Sequence, residues 1–257
     1  MKWTSGIAIG IFIVLLMAFI AYMLTHPRQL IAVPPTSRTA GTTLYTQDVQ
    51  QQQLPSPSPA GAVQALEDIS LYDLRAWHRP DANATGRNGQ PVGYVNVLRM
   101  KKRSDVSVAV AHYATSGTVI DLSCLTLECT AQRVLKGVHN PNWTEYAVTA
   151  DIHALPPESE FLWVVQGTYW DGFRSDTMES AETYVDYDGD PHTKLRLVVL
   201  FPPNKRATIV AAKRIDDKTD VRSNLPIPPA MTGPQTEVNW EIPNPVLGSH
   251  YALEWRW

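Results

Sequence analysis

EVNWEIPNPVLGSHYALEWRW, residues 237–257, decides what kind of fold this chain adopts. In its first half Val238, Trp240 and Ile242 alternate with Glu237, Asn239 and Glu241. In its second half Tyr251, Leu253, Trp255 and Trp257 alternate with His250, Ala252, Glu254 and Arg256. Successive side chains of a strand point to opposite sides, so this period of two predicts strands with one face buried. The intervening NPVLGS carries the turn residues that join them.

The same pattern recurs back to about Gly93. YVNVLRM leads into VSVAVAHY, where Val106, Val108 and Val110 alternate with Ser107, Ala109 and Ala111. In EYAVTADIH, Tyr146, Val148, Ala150 and Ile152 share one face and Glu145, Thr149, Asp151 and His153 the other. KLRLVVLF sets Leu195, Leu197, Val199 and Phe201 on one side. TVIDLS, TAQRVL, FLWVVQGTYW, TYVDY and TIVAAKRI complete the set, with PPES, DGDP and PPNK as turns. No long amphipathic helix interrupts them, which argues against βαβ units and a parallel sheet. The expected fold is mainly β, an antiparallel β-sandwich of Ig-like or jelly-roll-like type, because a second sheet is needed to cover the aromatic faces. AVQALEDISLYDLR, residues 62–75, suits a short helix or a first strand, and residues 79–92 read as a surface loop.

The N-terminus is of another kind. Ile7 to Leu24 runs IAIGIFIVLLMAFIAYML without a charge or a proline, and a transmembrane helix takes roughly 17–25 such residues. A cleaved signal peptide is the rival reading, with Lys2 as its basic region. However, typical apolar signal cores span about 7–15 residues and end at a small-x-small site, whereas Tyr22-Met23-Leu24-Thr25-His26-Pro27 offers none. Residues 1–27 are therefore expected to form a transmembrane anchor. Lys2 before it and Arg28 and Arg38 after it nearly balance the positive-inside comparison. The short basic N-terminus favours an extracytoplasmic, periplasmic body. Residues 28–61, rich in Pro, Gln and Ser, read as a tether, and residues 62–257 as the β domain.

A formal net charge of −3 offers no field that would draw nucleic acid. Lys101-Lys102-Arg103, Lys205-Arg206 and Lys213-Arg214 are short clusters that read as solvated turns. Cys124 and Cys129 would diverge on one strand or one helix. A hairpin through Leu125-Thr126-Leu127-Glu128 would oppose them, although that loop lacks turn residues. A disulfide between them would need an oxidising compartment.

DYDGDPHT, residues 186–193, is the strongest metal motif. Asp186, Asp188 and Asp190 stand at the first three ligand positions of a calcium loop. Pro191 takes the glycine position and Leu197 the final glutamate position, so a turn is the better reading. Asp151 and His153 form a lesser pair. The seven histidines show no metal-binding spacing, and no nucleophile elbow, phosphate loop or dinucleotide fingerprint occurs, so no cofactor is expected. Trp163, Tyr169, Trp170 and Phe173 cluster as a candidate ligand platform or as core. The sequons at Asn83 and Asn142 matter only in a eukaryotic secretory route.

These features point to a single-pass, membrane-anchored module that binds a protein partner, as a component of a bacterial envelope assembly or a sensor. Two other readings stand beside it. One is a carbohydrate-active or lectin-like sandwich using Asp171, Asp176, Glu179, Asp186 and Asp188 near the aromatics. The other is a cytoplasm-facing regulatory or effector domain.

Overall fold

The computed structural model describes residues 62–77, 90–115, 119–134, 144–175, 177–184, 194–216, 218–242 and 244–257. The anchor and tether, the sequon asparagines Asn83 and Asn142, and Asp176, Asp186, Asp188 and Asp190 lie outside them. No helix among the described residues is long and apolar enough to cross a membrane.

The described chain is mainly β, as its alternating pattern predicts. Its strands are β1 (Val63–Asp73), β2 (Pro91–Lys102), β3 (Val108–Thr115), β4 (Val119–Cys124), β5 (Cys129–Val134), β6 (Thr144–Asp151) and β7 (Glu160–Trp170). They continue with β8 (Met178–Tyr184), β9 (Lys194–Leu200), β10 (Ala207–Asp216), β11 (Arg222–Leu225), β12 (Pro234–Gln235), β13 (Glu237–Ile242) and β14 (Ser249–Arg256). The 62–75 segment resolves as strand β1, with a bulge between Ala65 and Glu67.

Three sheets form rather than two. One has the order β13-β9-β1-β2-β7-β4, one β11-β10-β14-β8 with β12 beside β10, and one β3-β6-β5. All pairings are antiparallel except β1 with β9, which run parallel in register Asp68↔Leu195. The sequence argued against βαβ units and a parallel sheet, and this one pair sits in an otherwise antiparallel sheet, with its crossover made by the intervening strands rather than by a helix.

The inner faces feed one apolar cluster. Leu195, Leu197 and Val199 of β9 bury beside Val238, Trp240 and Ile242 of β13, and Tyr251, Leu253 and Trp255 of β14 join them. These rows match the expected faces. Trp255 is fully buried, against Phe201 at 5.2 Å and Phe173 at 6.1 Å between ring centroids.

Elsewhere the alternation is inverted. On β3 the alanines Ala109 and Ala111 and Tyr113 bury, while Val108 and Val110 are only half-buried. On β6 Val148 and Ala150 bury as expected, and the departure is at its start, where Glu145 is buried and Tyr146 half-buried. On β3 small residues on the inner face leave room for the other sheets, so hydrophobicity alone chose the wrong side there. Lys102 also departs from the solvated-turn reading: it is fully buried, and its Nζ donates to the carbonyls of Ile152 (3.1 Å) and Leu155 (2.7 Å). Its neighbours do sit in water, with Lys101 and Arg103 both paired to the exposed Glu158.

Candidate functional site

The most distinctive chemistry lies where the three sheets meet. β1 turns Asp68, Ser70 and Tyr72 inward and leaves Ile69 and Leu71 on its other face, where Ile69 packs with Val198 and Leu200. β2 pairs with it in register, setting Tyr94 opposite Tyr72 and Asn96 opposite Ser70. β7 adds Tyr169, β3 of the small sheet adds His112 and Tyr113, and β8 of the β11-β10-β14-β8 sheet adds Glu182 and Thr183. Together they line a cavity of about 30 Å³.

Almost every polar group here has a partner. Asn96 Nδ2 donates to Asp68 Oδ1 at 2.6 Å and to the Ile69 carbonyl at 3.2 Å. Its Oδ1 accepts from the Tyr113 hydroxyl at 2.9 Å. The Ser70 hydroxyl lies 3.2 Å from that of Tyr94 and 3.1 Å from that of Thr183. Tyr72 donates to the Glu182 carbonyl at 2.8 Å. At the rim, His112 Nδ1 meets the buried Glu145 Oε1 at 2.9 Å, and His250 Nε2 lies 3.5 Å from Glu182 Oε2. Burial raises the Tyr72 phenol well above its ordinary pKa, and the neighbouring Tyr94, Glu182 and Asp68 raise it further. Burial does the same for Tyr169, which is hydrogen-bonded to Tyr72 and Tyr94. Both phenols therefore remain protonated donors at neutral pH.

The volume decides what this site can do. A cavity of this size suits about one water molecule, whereas small-molecule pockets span roughly 300–1,000 Å³. A network in which each polar group is satisfied fixes the relative register of its elements. The cluster thus acts as a polar lock between three sheets.

Of the four aromatic candidates, only Tyr169 lines the cavity. Trp163 is fully buried and its Nε1 donates to Cys124 Sγ at 3.3 Å. Phe173 is buried edge-on to Tyr72, with centroids 5.6 Å apart. Trp170 is half-buried, donating to Asp121 Oδ2 at 2.9 Å. Three of the four thus fill the interior, and Trp170 stands half-buried beside Asp121. Asp171 is buried too, accepting from the Gln90 N–H at 3.1 Å. Glu179 is half-buried, and burial lifts its carboxyl to about 7 against the hydrogen bonds it accepts from the Ser175 and Ser180 N–H groups. The Asp151–His153 pair is a local one. Asp151 accepts from the backbone and ring nitrogens of His153 in the turn after β6, and those bonds lower its pKa.

Cys124 and Cys129 are joined as a disulfide, with Cα atoms 6.1 Å apart. They do not close a hairpin. Cys124 ends β4, which pairs with β7, and Cys129 begins β5, which pairs with β6 of another sheet. The four residues between them turn a corner from sheet to sheet. Leu125 N–H donates to the Val164 carbonyl, and the Thr126 hydroxyl bridges Leu162 and Val164, extending the β4 ladder. On the far side the Glu128 carbonyl accepts from Asp151 N–H. Turn residues are unnecessary because flanking strands hold the corner.

Sequence reasoning missed Asp68, Ser70, Asn96, Tyr113 and Thr183 as a group. The available signal was polar residues at regular two-residue steps in EDISLYD and GYVNV, read on the face opposite to the valines.

No family model matches this chain, and no curated protein is detectably similar to it. Among solved structures it is similar to a yeast LTA4 hydrolase in complex with bestatin, over 78% of this chain and 31% of that one. With 11% identity and a TM-score of 0.35, that likeness carries no argument about this protein.

Proposed function

We propose that this protein is a single-pass membrane-anchored binding module whose β body, residues 62–257, stands on the extracytoplasmic side and engages a protein partner. In this reading residues 1–27 are the anchor and residues 28–61 the tether. The three sheets form an antiparallel sandwich with a small third sheet at its side, since their inner faces contribute to one buried cluster. A component of a bacterial envelope assembly, or a sensor, has this layout. The observation that carries the proposal is the Cys124–Cys129 bridge at the corner between two sheets, because disulfides persist in oxidising compartments.

Intact cells expressing the full chain would be treated with a membrane-impermeant reductant and then a membrane-impermeant maleimide. Labelling of Cys124 and Cys129 before lysis is the expected result. Labelling only after lysis assigns the body to the cytoplasm and overturns the placement. Crosslinking in the same cells, followed by purification of the full chain in detergent, should recover a discrete protein adduct. Retention on immobilised glycans with no such adduct would favour the carbohydrate alternative.

A further inference from the structure

Three aliphatic side chains at one rim of the β body stand largely in water: Val221 is 59% exposed, Val246 44% and Leu247 53%. Strand registers bring them to the same end. Asp216 closes β10, and its N–H donates to the Val221 carbonyl at 3.1 Å. On its other side Asp216 pairs with Ser249, which follows Leu247 and Gly248 in the chain. The first described strand also begins at this end. β1 runs parallel to β9 with Asp68 level with Leu195, and Leu195 is level with Ile242 of β13. From Ile242 the chain passes through Val246 and Leu247 to β14, so Val63, the start of β1, lies at this same end.

Resting on the anchor reading above, we infer that this rim contacts lipid: Val221, Val246 and Leu247 insert into the interfacial layer of the bilayer that holds residues 7–24. The tether, residues 28–61, has an r.m.s. reach on the order of 30 Å if it behaves as a flexible coil. That keeps the rim at a high effective concentration beside the membrane, so a contact too weak to recruit a free domain is sufficient. The charges around the rim are of both signs, with Lys218 and Arg222 beside Asp216 and Asp220. The contact is therefore apolar in origin, and neither anionic lipid nor low salt is required for it.

The test uses the full chain reconstituted in phosphatidylcholine vesicles, carrying an environment-sensitive fluorophore on Leu247→Cys. The comparison position is Asn204→Cys, in the exposed β9–β10 turn at the opposite end. Nitroxide lipid should quench the label at 247 about threefold or more over that at 204, as expected for side chains seated at the headgroup boundary. The difference should persist in high salt and disappear in the Val221→Asp, Val246→Asp background. Equal quenching at the two positions, in a chain that resists alkaline carbonate extraction, overturns the lipid contact while leaving the anchor intact. Extraction of the chain by carbonate overturns the anchor and the contact together. A crosslink from position 247 to a second protein, without lipid quenching, assigns the rim to a protein interface and also overturns it.

Discussion

Lys102 sits at the end of β2 with no exposed surface, its ammonium held by two carbonyls of the turn after β6. Charged donors to backbone oxygen stabilise by about 1.5–3 kcal/mol each, and losing one strands a buried acceptor. Lys102→Met keeps most of the volume and removes only the donors. It should cost about 2–4 kcal/mol in urea unfolding, while Lys101→Met, whose partner Glu158 is exposed, should cost under about 1 kcal/mol. Trp255 poses the opposite case. Its ring is fully buried and its Nε1 has no hydrogen-bond partner among the described residues. Trp255→Ala should lose about 3–5 kcal/mol to the resulting cavity. Trp255→Phe should lose clearly less, because it also removes a buried donor that nothing satisfies. Equal losses in the two variants, measured by thermal and urea unfolding, would contradict this account of the indole nitrogen.

At the scale of the element, β7 is held between β2 and β4, and Gly167 lies at the middle of the pairing with β4. Gly167 lies level with Tyr94 on one side and Leu122 on the other. A methyl group there would overlap the Asp121 carbonyl and crowd the Leu122 side chain. Because the obstruction is backbone, no rotamer change relieves it. Gly167→Ala should therefore displace β4 and destabilise the fold by about 1–3 kcal/mol as overpacking. Hydrogen exchange should quicken in β4 before it does in β9 or β13. The same strand pair explains how the disulfide is reached. β4 and β5 are edge strands of different sheets, and the corner between them is tied on both sides to β7 and β6. Hairpin rules correctly found the loop between the cysteines unsuitable for a hairpin, since tertiary ladders supply the geometry that turn residues would otherwise provide.

For the whole molecule, the clearest pH response comes from Glu179 at the start of β8. Burial raises its folded pKa to about 7, above the ordinary glutamate value of 4.5. A carboxyl raised in this way contributes stability that is complete below about pH 4.5 and is lost as pH rises through about 7. Unfolding free energy should thus decline across that window, and Glu179→Gln should flatten the decline while keeping an acceptor for the Ser175 N–H. A wild-type profile unchanged by that substitution would show that Glu179 is not its source. The three sheets meet at Asp68, Ser70, Tyr72, Tyr94, Asn96, Tyr113 and Thr183, so their mutual arrangement depends on hydrogen bonds between residues distant in sequence.

The residues themselves were enough to determine that the body is mainly β, and which faces of β9, β13 and β14 are buried. In β13 and β14 large apolar side chains alternate with polar or small ones, so local periodicity and burial agree, whereas β9 reads KLRLVVL and Val198 and Leu200 on its second face are buried as well. They also marked an apolar N-terminal run unlike anything in the body. The inward turn of Ala109 and Ala111 over Val108 and Val110, and of Asn96 over Val95 and Val97, was decided only in three dimensions. The physical reason is that a face is chosen by what packs against it. Where a third sheet comes close, small side chains and paired polar groups fit better than the more hydrophobic ones beside them. The parallel β1–β9 pair and the sheet-to-sheet disulfide have the same origin, since each joins segments whose proximity no local pattern encodes.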